Sequence, residues 1–199
     1  MFFKASFVSL LALAGLASAI PTKRALYQRL NNDTCVTAPS TDIGQDWTAN
    51  APVSANIAGG QEGVSMILDI GVMDTTSCQA LPNVLVEVWA PNEVGTYGEF
   101  LRGATMTDAN GIAEFDMIFP GFTSAGANHI NVLVHHEGVT STDGVTSVMH
   151  VGQLFFTDQW TNIVSMYNGY AANTNTRIMN NNDPEFTKAN GNAYYPVLE

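Results

Sequence analysis

The stretch FPGFTSAGANHINVLVHH, from Phe119 to His136, sets an imidazole and an amide two residues apart within a run of strand-forming side chains. In an extended chain His129 and Asn131 point to the same face. Imidazoles at both positions would make half of a metal site, but a neutral amide is a poor partner for a transition metal. What His129 and Asn131 can do together is hydrogen bond, and Tyr97 in WAPNEVGTY adds a phenol to that inventory. Such groups orient and polarise an oxygen of a bound molecule when they converge on one cavity. The other histidines, His135, His136 and His150, lie in strand patterns and read as packing or surface imidazoles.

Side chains of this kind need a rigid support, and the chain supplies short strands. Runs of β-like residues divided by turn residues begin at Val64: VSMILDIGVMD, VLVEVWAP, GIAEFDMIFPG, HINVLVHH and VTSVMHVGQLFF. Val84, Val86 and Val88 alternate with Leu85, Glu87 and Trp89, and TDANG before Ile112 reads as a tight turn. This spacing predicts an all-β chain, a β-sandwich. Helix is expected only in TDQWTNIVSMY, with Asp158 in its first turn. The Asn-rich NGYAANTNTRIMNNNDPEF after it reads as a long loop and a candidate lid. Residues 25–62 show no sustained period and read as an irregular arm ahead of a single domain over 63–199.

The first segment, MFFKASFVSLLALAGLASAI, has the layout of a secretory signal peptide, with cleavage expected after Ala19. Lys23 and Arg24 form a dibasic pair, so residues 20–24 read as a short pro-segment and secretion is expected. Loss of Lys4, Lys23 and Arg24 takes the formal charge from -11 to -14. Such a surface makes nucleic acid and anionic membranes poor partners and leaves a small molecule as the expected one. Export and the even count predict a disulfide between Cys35 and Cys78. Asn32 in NDT is the expected glycosylation site.

The strings WAPNEVGTYGEFLRGATMTDANGIAEFDMIFPGF, then NHIN, then HVGQLFF, resemble the intradiol ring-cleavage dioxygenases, in particular their small secreted fungal branch, over about Cys35 to Phe156. The resemblance implies a β-sandwich holding a ferric iron through two tyrosinates and two histidines. Trp89, Asn92, Gly95 and Tyr97 fill the pattern around the first tyrosine. Where the second tyrosine belongs, after Pro120 and Gly121, stands Phe122. Where the two histidines belong stand His129 and Asn131, and Gly126 occupies the place of an arginine that stabilises substrate charge.

The departures fall on the chemistry while the scaffold strings survive. No cofactor is expected, iron included, and the former metal pocket is expected to persist as an aromatic cavity. Tyr97, His129 and Asn131 are its candidate catalytic residues. Trp89, Arg102 and Phe122 are candidate substrate contacts, although Trp89 also reads as core and Arg102 as a structural ion pair. Three functions follow. The leading one is a metal-free enzyme of fungal specialised metabolism, of the hetero-Diels–Alderase type suggested by the resemblance, joining a quinone-methide-like tropolone or phenol to an alkene. The others are an extracellular phenolic-binding protein and an iron-dependent intradiol dioxygenase with an unorthodox metal shell.

Overall fold

The computed structural model describes residues 38–135 and 148–189. The signal peptide, the pro-segment, Asn32, Cys35 and His136 lie outside them. Among the described residues six strands form two antiparallel sheets: β1 (Ser65–Gly71), β2 (Leu85–Trp89), β3 (Arg102–Met106), β4 (Ile112–Ile118), β5 (His129–His135) and β6 (Val148–Phe155). The larger sheet has the order β3-β2-β5-β6, and β1 pairs with β4 in the smaller. The β-sandwich predicted by the alternation is therefore present. β3 was not among the predicted strands, because RGATM carries a glycine, a charge and no apolar alternation.

The inner faces follow the period of two. Val86 and Val88 of β2 and Ile130, Val132 and Val134 of β5 meet Leu68 of β1 and Ala113, Phe115 and Met117 of β4 in one core. Burial of each large apolar side chain is worth about 1.5–3 kcal/mol. On β1 the opposite parity faces water, and Ile67 is exposed. The turn before β4 is tied by Asp108, whose Oδ1 accepts from Asn110 N and Ile112 N, with Gly111 at positive φ.

The outer face of the larger sheet is also buried, against the usual pattern of a sandwich: all five residues of β2 and all seven of β5 are shielded. The irregular arm is the cover. Thr41 N donates to Val151 O on β6, the Trp89 indole donates to Gln45 O, and Arg102 Nη2 donates to Thr48 O. The arm then leaves the edge of β3, where Ala104 N donates to Pro52 O, and joins β4 of the other sheet through Ile57 N and Asp116 O. It is thus a strap that crosses one sheet and sews it to the other.

Helix α1 (Asp158–Val164) starts where TDQW predicts, with Thr157 as its cap and Asp158 in the first turn. The following Asn-rich stretch is not a structureless loop. It contains two 3-10 turns and a second helix, α2 (Pro184–Lys188), capped by Asp183. Phe186 of α2 packs edge-on against Phe155 of β6, which fixes that end of the stretch to the sheet. No helix among the described residues is long and apolar enough to cross a membrane.

Candidate active site

Two loops meet at the β2–β5 end of the sheet. In the first, after Trp89, Asn92 Oδ1 accepts from Thr96 N and Asn92 O from Gly95 N, which closes a turn that presents Tyr97. In the second, Gly121 N donates to Asn92 O. A Cβ on Gly95 would lie 2.2 Å from Phe122 O, and one on Gly121 would lie 2.3 Å from Glu93 O. Only glycines allow the loops to pass at this separation, and Gly95 also holds a φ of 77°. The Asn, Gly and Pro-Gly parts of the two motifs are therefore structural: they hold the loops together.

Between the loops runs a hydrogen-bonded row. Asn131 Nδ2 lies 3.1 Å from Tyr97 Oη, and Asn131 Oδ1 lies 3.1 Å from His129 Nε2. His129 Nδ1 lies 2.7 Å from Ala127 O, while Asn131 Nδ2 also reaches Trp89 O at 3.4 Å. Cross-strand pairing sets this geometry, since Asn131 stands opposite Trp89 on β2 and Gln153 on β6. Asn131 is fully buried and His129 nearly so, whereas Tyr97 keeps partial exposure. Tyr97 is the partly exposed end of the row.

Burial pushes the Tyr97 phenol up to about 12, against the opposing hydrogen bond from Asn131 and with the help of the Asp46 charge. It is a hydroxyl at neutral pH. Burial also holds His129 below its ordinary value, while the Ala127 hydrogen bond, the Asp183 charge, the Asn131 contact and the Glu185 charge pull the other way. Both His129 nitrogens face oxygens, an arrangement that only the doubly protonated ring satisfies. In that arrangement Asn131 donates to Tyr97, and the phenol proton is free for a ligand. A neutral His129 keeps its proton towards Ala127 O, and the Asn131 amide is then satisfied turned over, accepting from Tyr97. The amide thus links the His129 proton to the direction of the Tyr97 O–H bond.

The remaining candidate residues are held elsewhere. Arg102 binds Glu99 and the strap carbonyls of Thr48 and Ala49, the structural role weighed for it in the sequence. Phe122 is half-buried, and its carbonyl accepts from Asn173. The Trp89 indole is committed to Gln45 O, so Trp89 meets Asn131 through its carbonyl. His135 is buried in a pair with Glu87, which also accepts from Trp47, and His150 contacts Ser40. The strap covers the place where an open cavity was expected: a Cβ on Gly44 would sit 1.7 Å from Asn131 Oδ1.

Asp183 and Gln153 were not singled out in the sequence, and Gly126 was read there only as a missing arginine. Asp183 caps α2 with Oδ1 and accepts from Ala127 N with Oδ2 at 2.6 Å, which brings a carboxylate towards His129. Its one sequence signal was the Asp-Pro pair at a helix start. A Cβ on Gly126 would crowd both that carboxylate and the His129 ring, so Gly126 matches the close packing found there. Gln153 extends the row on the strand beyond Asn131, and its Oε1 is buried without a hydrogen-bond partner among the described residues.

These residues do not fit a ferric centre. Phe122 offers no oxygen, Asn131 offers a neutral amide already engaged on both ends, and both His129 nitrogens are occupied within the protein. Among the described residues no three His, Cys, Asp or Glu side chains gather as a metal would require.

No family model and no curated protein matches the chain. Solved structures do. An intradiol ring-cleavage dioxygenase from Tetranychus urticae superposes with a TM-score of 0.74 at 23% identity, over 83% of this chain and 88% of that one. The dioxygenase domain of a dioxygenase–carbohydrate-binding fusion from Streptomyces sp. SirexAA-E gives 0.51 at 24% identity, over 60% and 74%. The 3-chlorocatechol 1,2-dioxygenase of Rhodococcus opacus 1CP gives 0.50 at 21%, over 62% and 58%. With its sandwich, its two crossing loops and its altered row of site residues, the chain has the fold of the intradiol ring-cleavage dioxygenases.

Proposed function

We propose that the chain is a metal-free catalyst on this fold, in which Tyr97 donates a hydrogen bond to an oxygen of an unsaturated substrate. The observation that carries the reading is the Asn131 amide bridging Tyr97 and His129, at 3.1 Å to each. In the donor arrangement a positive His129 polarises the amide, the amide donates to Tyr97, and the phenol proton turns outward. A hydroxyl held in this way draws electron density from a carbonyl or quinone-methide oxygen without transferring its proton.

A reaction that gains from that withdrawal alone is a hetero-Diels–Alder addition. The substrate pair is a quinone-methide-like tropolone or phenol, acting as an electron-poor oxadiene, and an electron-rich, terpene-like alkene. One C–O and one C–C bond form, three π bonds become one, and no atom, proton or electron leaves. Holding both reactants in one orientation supplies the rest of the acceleration. In this reading the protein is secreted and serves fungal specialised metabolism.

The test mixes purified protein, a chelator, a quinone methide and an alkene, and follows the rate and the enantiomeric excess. Tyr97→Phe is expected to lower the rate constant about a hundredfold, the usual effect of losing one donor in a preorganised site. Racemic adduct at the uncatalysed rate, with tight retention of the phenolic partner, would replace the enzyme reading by a binding protein.

A further inference from the structure

Among the described residues, the inner face of the larger sheet, which faces away from the Tyr97 row, is only partly covered by β1 and β4. Beyond β1 a cleft of about 450 Å³ lies between the sheets. Ile70 and Val72 form one wall, and Val132, Val134 and Leu154 form the other. Alternation along β5 separates this cleft from the row: Val132 and Val134 are in the inner core, and Asn131 faces the strap.

The polar residues along the cleft are Asp74, Thr75, Gln153 and His150, and the His150 ring lies on its inner wall. His150 stands opposite Val134, and Gly152 opposite Val132, so both share the inner face of edge strand β6. His150 Nδ1 lies 3.2 Å from Ser40 Oγ. Its Nε2 stands over Gly152, where a Cβ would come within 3.0 Å. Burial lowers the His150 pKa, so the ring is neutral near pH 7. With Nδ1 engaged by Ser40, Nε2 has no hydrogen-bond partner among the described residues, and in the tautomer that carries its proton on Nδ1 it presents a lone pair. Asp74 on the cleft wall is held ionised by the amides of Thr76 and Ser77, and the whole chain carries a formal charge of -11. A carboxylate or phosphate is therefore repelled.

We propose that this cleft binds an uncharged, largely apolar molecule bearing one hydroxyl, which donates to His150 Nε2. The volume suits a fused-ring or terpene-like skeleton of roughly ten to fifteen carbons, at the small end of ligand pockets. The apolar walls supply affinity by leaving water, and the imidazole selects the hydroxyl. This site stands independently of the function proposed for Tyr97.

Equilibrium dialysis of the full chain against naphthalene and 1-naphthol at pH 7.5 tests it. Both are expected to bind saturably, one per chain, with 1-naphthol tighter by about three- to tenfold, the worth of one hydrogen bond. His150→Leu is expected to erase that preference and keep naphthalene binding. Ile70→Trp, which fills the cleft from a partly buried wall, should weaken both ligands at least tenfold, with Gly152→Val as a second filler should the first variant not fold. Tyr97→Phe should leave both affinities unchanged. Absence of saturable binding, a preference that survives His150→Leu, or insensitivity to a folded filler variant would overturn the proposal. Loss of binding in Tyr97→Phe would also overturn it, by moving the ligand to the Tyr97 row while supporting the reading of that row.

Discussion

Gly44 lies flat against the Asn131 side chain, so close that a Cβ on Gly44 would sit 1.7 Å from Asn131 Oδ1. The strap touches the sheet here without a side chain between them, and the Trp89 indole pins the next residue at 2.8 Å. Gly44→Ala must lift the strap or displace the amide. Overpacking of this kind costs about 1–3 kcal/mol. Urea denaturation should show that loss, and the Gly44→Ala/Asn131→Ala double variant should recover part of it, because the atom that clashes is gone. Equal losses in the two backgrounds would mean that the strap adjusts without using Asn131.

The same contact bears on metal. A histidine in place of Asn131 would bring a larger ring under Gly44, and a tyrosine in place of Phe122 would put a hydroxyl on a loop fixed by its own carbonyl. Protein grown in iron-rich medium and purified without chelator should therefore contain far less than one iron per chain by elemental analysis. Asn131→His alone should not raise the content to one. Equimolar iron in the unaltered protein, with a tyrosinate charge-transfer band, would restore ring-cleavage chemistry as a reading.

The parts of the fold that were legible in the sequence are those with a period. β2, β4 and β5 show their alternation, and the Thr157 cap marks α1. β3 was invisible because its place comes from backbone pairing with β2 and from the strap, neither of which leaves an apolar pattern. The site was legible as residue types: Tyr97, His129 and Asn131 do converge. Its cover was not, since Gly44 acts by lacking a side chain and Gln45 by a carbonyl. Arg102 could not be read as a substrate group or a strap anchor from FLRG alone. The deciding carbonyls of Thr48 and Ala49 lie more than fifty residues away along the chain.

Cys78 is half-buried at a φ of 56°, and its N–H donates to Asp74 O at 2.8 Å. Cys35, its expected partner, lies outside the described residues. A disulfide here would close a loop that includes the strap and contribute about 2–4 kcal/mol. Intact mass after alkylation in denaturant without reductant should show no modified cysteine. Two alkylated thiols per chain would refute the pairing, and reduction should lower the melting temperature.

Acid should act on the row in two opposite ways. Burial depresses the folded-state pKa of His129, and that of His150, so the unfolded chain binds more protons once the pH falls below the ordinary histidine value near 6.5. Stability is fully present above that value and declines as the pH drops towards the folded values. The Tyr97 donor arrangement, however, needs His129 protonated on both nitrogens, and that fraction grows over the same interval. The rate constant for bound substrate should therefore rise as the pH falls below about 6.5, while the melting temperature decreases. His129→Gln keeps an amide to bond Asn131 but carries no proton to gain. In that variant the acid-side rise should vanish, and the fall in melting temperature should be reduced to the share of His150. An unchanged rise in His129→Gln would assign the proton to another group and separate Tyr97 from the imidazole behind it.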